Sequence, residues 1–263
     1  PKERRRTRAE TEIEAAFARV GAALPGAGRE AAFARFAGVG LPHRRIEAYH
    51  YTDLRALIAS APEPAGRPSL SAATAAVGAD VFAAIGAARA VFVDGWFSPK
   101  LSDLSGLGEG VTVASICDTL SSGKSVGGLG RLIGPGSAAE ADPLVALASA
   151  FWTDGIVVRV APGATMARPL EIRHLASGAS VTACVRHLIE VGAGGKASIL
   201  ESHESPDGVV IHAHGLTELV VGEGAEVTLV DRQREGDEAV RLATLAVSLG
   251  DHAKLDHTLA TLG

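Results

Sequence analysis

Seven of the nine histidines lie between His174 and His257. His212 and His214 stand two apart in a strand-like run, so their rings project to one side of a strand. Glu201 and His203 do the same in the preceding run. Imidazoles and carboxylates at spacing two on neighbouring strands form a donor set for zinc or iron, provided that three or four converge. One reading is therefore a metal-dependent enzyme that uses His203, His212 and His214 with Glu201. The competing reading places these side chains on an exposed repeat face, satisfied by water and nearby carboxylates. His174 and His187, beside Arg173 and Arg186, read as a solvated polar face at strand ends.

Glu171, Glu190, Glu201, Glu218 and Asp231 raise a second chemistry. Paired acids across a groove cleave glycosidic bonds, and Glu201 and Asp231 are spaced to stack one repeat apart. A sugar groove normally adds aromatic platforms, and residues 153–263 contain no Trp, Tyr or Phe. A ladder of solvated polar residues fits these acids better than a carbohydrate-active site. Ser122-Gly123-Lys124-Ser125 has the tail of a phosphate loop, but Asp118 occupies the position of its first glycine. Gly128 to Gly134 lacks dinucleotide spacing. Cys117 and Cys184 are far apart and outside any ligand pattern, which fits free thiols in a reducing cytoplasm.

What must position these residues is a repeat. Small-residue turns recur at Gly163-Ala164, Gly178-Ala179, Gly194-Gly195, Gly208-Val209, Gly224-Ala225, Glu238-Ala239 and His252-Ala253. Their spacing of about 15 residues makes each coil about 30 residues, the length of a flattened β-solenoid turn. Ile199 then stacks near Leu229, and each coil buries its apolar face only against its neighbours. The pattern predicts a mainly β chain with a right-handed β-helix of stacked coils, preceded by an α-helical region. The expected division is a helical N-terminal region over 1–88, closed by a Pro-rich linker at 61–68, and a β-helix core over 89–263.

Within the first part, residues 9–37 read as helix broken at Leu24 to Gly28, and Thr52 as the cap of a helix over Asp53 to Ser60. Asp94-Gly95 between apolar runs predicts a hairpin. Val111 to Ile116 reads as a strand, and residues 121–137 as a mobile Gly/Ser loop. Asp142-Pro143 opens a helix to about Trp152, and Ile156 starts the solenoid.

Composition narrows the function. The chain has 263 residues, 47% of them apolar, and a net charge of −5, enough for a buried core and unlike a nucleic-acid binder. No run reaches the length of a membrane span, and the basic start from Pro1 to Arg6 has no apolar stretch behind it, so it reads as a solvated tail. No terminal coil is capped before Gly263. An open solenoid exposes backbone donors and acceptors, so the chain is expected to continue or to be covered by another chain, a second copy included.

Two segments carry a family resemblance. Leu41-Pro42-His43-Arg44-Arg45-Ile46-Glu47-Ala48-Tyr49-His50-Tyr51-Thr52-Asp53-Leu54 resembles L-P-x-R-[KR]-x-E-x-W-[KR]-Y-T-x-L, with Tyr49 in place of tryptophan and His50 in place of a basic residue. Phe92-Val93-Asp94-Gly95-Trp96-Phe97-Ser98-Pro99-Lys100-Leu101-Ser102 resembles F-V-[ND]-G-x-[FY]-x-x-x-L-S. With Asp154-Gly155, Pro169 to Ile172 and Arg186 to His203 in order, the chain resembles the SufB/SufD family of the SUF iron–sulfur cluster assembly machinery. Having only two cysteines puts it on the SufD side, because thiolates are the natural cluster ligands.

The resemblance implies a non-enzymatic scaffold that pairs with a SufB-like subunit through the β-helix and acts with the ATPase SufC. The SufC-docking helices and the interface coils would lie past Gly263. The resemblance therefore assigns no catalytic, cofactor-binding or metal-binding residue here. The iron–sulfur cluster would be a transient guest of the parent complex.

Overall fold

A computed structural model describes residues 5–78 and 82–262; Pro1 to Arg4 of the basic run, and Gly263, lie outside them. Helix α1 (Arg8–Val20) starts at a capping box, in which Thr7 accepts from the Glu10 amide and Glu10 accepts from the Thr7 amide. Its Phe17 stacks on Phe33 of α2 (Arg29–Val39) with ring centroids 4.1 Å apart. Helix α3 (Leu54–Leu57) is shorter than expected, and Asp53 caps it instead of Thr52. The Asp53 carboxylate accepts from the Ala56 amide, and buried Ile58 has already left helical geometry.

Residues 61–68 do not run free. The Thr182 amide donates to Glu63 O, the Ala65 amide donates to Thr182 O, and the Thr182 hydroxyl donates to Pro62 O. A short helix that the sequence did not signal, α4 (Leu70–Ala75), follows behind Ser69.

Strands β1 (Ala88–Val93) and β2 (Trp96–Phe97) form the expected hairpin, with Asp94 and Gly95 at φ 50° and 80°. Strand β3 (Val111–Ser115), helix α5 (Ile116–Ser121) and helix α6 (Pro143–Phe151) come next. Asp142 caps α6, and the Tyr49 hydroxyl donates to the Asp142 carboxylate at 2.9 Å. The Arg29 guanidinium closes the other end of α6, donating to Ala150 O and Trp152 O at 2.8 and 2.7 Å.

The solenoid consists of β4 (Ile156–Val160), β5 (Leu170–Leu175), β6 (Val181–Val191), β7 (Lys196–Glu204), β8 (Ile211–Val221), β9 (Glu226–Arg234), β10 (Ala239–Leu249) and β11 (Lys254–Thr261). They form two sheets, in the order β11-β9-β7-β5-β1-β2 and β10-β8-β6-β4-β3. About four coils result. Each parallel ladder joins residues one coil apart, as in Leu170–Ile199–Leu229.

The corners fall on the small-residue turns, with Gly163, Gly194 and Gly224 at positive φ. Gly155 opens β4 where only a glycine fits: a Cβ there would lie 1.6 Å from Arg186 O. Between the sheets, Phe92, Ile156, Leu170, Ile172, Ile189, Ile199 and Leu219 form an apolar core. Outside the β4–β6–β8 sheet a second core joins Val157, Cys184 and Leu188 to Ile13, Phe36, Leu147 and Phe151 of the helices. No helix among the described residues is long and apolar enough to cross a membrane.

Candidate functional site

Strands β5, β7 and β9 change character along their length. Their first inward positions are aliphatic (Leu170 and Ile172, Ala197 and Ile199, Val227 and Leu229), and their next ones are polar. The register then stacks Ile172, Glu201 and Asp231 in one column and Phe92, His174, His203 and Gln233 in the next. The His174 and His203 rings lie 4.4 Å apart and 3° from parallel, and Phe92 stacks on His174 at 5.2 Å. From the facing sheet, His187 of β6 comes within 5.3 Å of the His174 ring, and Arg241 of β10 reaches in among the acids.

The distances define a compact histidine–carboxylate cluster between the sheets. His203 Nε2 is 3.1 Å from Glu201 Oε1 and 3.8 Å from Asp231 Oδ1, and His174 Nε2 is 3.5 Å from Glu201 Oε1. Arg241 Nη2 lies 3.1 Å from Asp231 Oδ2, 3.7 Å from Glu201 Oε1 and 2.6 Å from His203 Nε2. Arg241 Nε is 3.8 Å from Glu235 Oε1. A cavity of ≈ 40 Å³ adjoins the cluster, lined by His174, His203, Glu235 and Arg241 among others. It has room for a water or an ion but not for a sugar ring.

Burial sets the protonation states. Desolvation, reinforced by His174, pushes His187 down to about 3. The same two causes push His203 down to about 3, against the opposing pull of Glu201. Both imidazoles are neutral at neutral pH. Asp231 is raised by burial and by the Glu201 charge, with Arg241 opposing. Glu235 is also raised by burial, again against Arg241.

The structure divides the histidine set read from the sequence. Glu201 and His203 do come together, but His212 and His214 face the opposite side of the β8 sheet. They line an apolar pocket with Ile13, Leu147, Phe151 and Cys184 beneath α1 and α6. Alternation along β8 puts Ala213 and Gly215, their neighbours, toward the interior; His214 also lines the interior cavity, but among the described residues it forms no ligand group with His203 and His212. His174 and His187 are not a solvated face: His187 is fully buried, and both point into the cluster. The signal that would have found them is the coil offset of about 30 residues, which pairs His174 with His203 directly.

The acids are corrected as well. Glu201 and Asp231 are ladder partners as anticipated, but they face the interior instead of a groove. Glu171 and Glu218 are fully buried and so form no solvated ladder, whereas Glu190 stays half-exposed beside Arg159. Glu218 docks the segment at 121–137, which is therefore held against the solenoid and is not the mobile loop that its Gly/Ser content predicts. It accepts from the Gly130 and Leu132 amides at 2.7 and 2.9 Å and from Arg186 at 3.0 Å. Ser122 to Ser125 follow the C-terminus of α5, the wrong end of a helix for a phosphate. Cys184 is sealed between sheet and helices, and burial pushes its thiol up to about 12. Cys117 is raised by burial and by Asp154.

Fold and interior together define a helix-covered β-solenoid with a polar cluster in its core. Family comparison then gives the lineage. A model of the SufBD protein N-terminal region matches residues 11–172, and one of the SUF system FeS cluster assembly SufBD core domain matches residues 174–263. The chain belongs to the SufBD family of iron–sulfur cluster assembly proteins. It is similar to an iron–sulfur cluster assembly SufBD family protein of Synechocystis sp., at 26% identity over 226 residues, which cover 81% of this chain and 48% of that relative. The chain thus spans about half the length of the curated relative it matches.

Proposed function

We propose that the chain is a SufD-type scaffold subunit without catalytic chemistry of its own. In this reading it pairs with a SufB-like subunit in the cytoplasm and acts with a SufC-like ATPase. The iron–sulfur cluster is the cargo of that complex. The observation that carries the reading is the state of the two cysteines. Both thiols are raised above their ordinary value, and Cys184 is closed off from solvent. A thiol held protonated is a poor sulfur acceptor and a poor cluster ligand; Cys184 is buried besides, whereas Cys117 is half-buried. The thiolates that a growing cluster needs then fall to a partner.

The test is to co-express the native-length protein with SufB-like and SufC-like subunits of its source and to purify through either partner. Under this reading the three co-purify, and a Cys117→Ser, Cys184→Ser double variant builds clusters at the wild-type rate. Loss of sulfur transfer in Cys117→Ser would make the chain a direct sulfur carrier, of the SufB type. Failure to co-purify would remove the scaffold reading.

A further inference from the structure

The interior cluster is poorly explained as a set of hydrogen bonds. A guanidinium only donates, so Arg241 Nη2 at 2.6 Å requires His203 Nε2 to present its lone pair. His203 Nε2 and Glu201 Oε1 are then two acceptors 3.1 Å apart, an arrangement that repels unless a cation lies between them. Arg241 meets that need in part. His174 Nε2 and Asp231 Oδ1 are buried without a hydrogen-bond partner, a costly state for polar atoms. Fully buried His187 points at the same place. Its Nδ1 accepts from the Ile156 amide at 3.2 Å, so its Nε2 holds the ring proton, and that proton also lacks a partner. His187 is therefore a donor toward the cluster and not a ligand in it.

The spacings suit a metal ion. Bonds of about 2.0–2.1 Å opened to a tetrahedral angle set neighbouring ligand atoms about 3.3 Å apart. The ligand atoms of Glu201, His203 and Asp231 all lie within 4.8 Å of one another, and the two nitrogen–oxygen separations among them, 3.1 and 3.8 Å, bracket that value. Three carboxylates, Glu201, Asp231 and Glu235, face one guanidinium. One imidazole with two carboxylates and an open position for water is a mixed nitrogen–oxygen donor set, whose nitrogen favours a first-row transition ion over calcium or magnesium.

We propose that His203, Glu201 and Asp231 form a buried site for one divalent transition ion, zinc(II) or iron(II), with water as the fourth ligand and with the Arg241 guanidinium in the ion's place when it is absent. On binding, Arg241 turns toward Glu235, whose Oε1 is buried without a hydrogen bond and 3.8 Å from Arg241 Nε. His203 already has its lone pair on the nitrogen that faces the ion. The His187 proton then meets a ligand oxygen or a water on the metal. The proposal goes beyond the scaffold reading and does not depend on it, since it concerns only the solenoid interior.

The experiment uses untagged protein stripped with chelator, then incubated with zinc(II), or with iron(II) without oxygen, and desalted. Retained metal is measured by mass spectrometry. One ion per chain is expected, and the arm that retains it identifies the metal. The near-isosteric Glu201→Gln and Asp231→Asn each weaken binding by about 10-fold or more, and His214→Ala leaves it unchanged. Arg241→Met removes the competing cation and tightens binding.

A cobalt(II) form of the wild-type protein, which needs no variant to fold, shows ligand-field bands without thiolate charge transfer. Substoichiometric metal, thiolate bands, equal loss in His214→Ala, or weaker binding in Arg241→Met would each overturn the site. None of these outcomes bears on co-purification with SUF partners, so the two readings fail separately.

Discussion

His203 and His214 lie on facing sheets and are both driven down to about 3, with burial the main cause in each case. Their surroundings differ. His214 is packed with His212, Cys184, Ile13, Leu147 and Phe151 in a pocket lined by no carboxylate. His203 meets two carboxylates and a guanidinium. Under the helices, the imidazole serves as a moderately polar filler that lets α1 and α6 sit on the sheet. Between the sheets, the same group is one donor of a converging set. Burial alone therefore does not mark a functional histidine; the groups facing its nitrogens do.

Acid is the strongest way to probe this pair. His187, His203 and His214 each stay neutral in the fold to about 3, whereas the unfolded chain protonates them near 6.5. Their contribution is complete above the unfolded value and is lost as pH falls from 6.5 toward 3. The slope is up to about 1.4 kcal/mol per pH unit for each histidine. Urea unfolding at pH 7.5 and pH 5 should show it. His214→Leu should remove one histidine's share while the interior pair keeps theirs. A flat profile would mean that these rings are solvated and that the comparison is void.

Next in size is Glu218→Ala, on the same outward face of β8 as His214. It strands Arg186 and leaves the Gly130 and Leu132 amides without their acceptor. Removing one partner of such a buried ion pair costs about 3–5 kcal/mol. The denaturation midpoint should fall accordingly, and proteases should cut between residues 126 and 133. An intact segment in this variant would show that the helix-side packing, and not the carboxylate, holds the segment down.

The solenoid could be read from the sequence because its signal is periodic. The small-residue corners, the stacking of Ile199 on Leu229, the Asp94-Gly95 hairpin and the Asp142-Pro143 helix start are each set by local backbone chemistry. The interior cluster was less visible. Glu201 and His203 share a face at spacing two, which any strand imposes. Linking His203 to His174 requires the coil offset, and bringing in His187 and Arg241 requires knowing which sheet faces which. His212 and His214 misled because spacing two fixes a common face without saying whether it turns inward or outward. The segment at 121–137 gave no sign of docking because its anchor, Glu218, lies some 90 residues further on.

The smallest effect separates the two histidines most directly. His214→Leu swaps a neutral ring for an aliphatic side chain of similar size in an apolar pocket, and such swaps cost less than about 1.5 kcal/mol. His203→Leu removes the acceptor of the Arg241 guanidinium and the neighbour of Glu201, and should cost about 1–3 kcal/mol. The two variants, measured side by side by urea unfolding at pH 7.5, differ in one respect only: what the lost nitrogen faced. Leucine cannot replace an acceptor for a guanidinium, so the cost at position 203 should persist with or without added metal. If the order of the two costs were reversed, the polar half of the interior would be only a tolerated imperfection of the core, and the helix-side pocket would be the place to look for function.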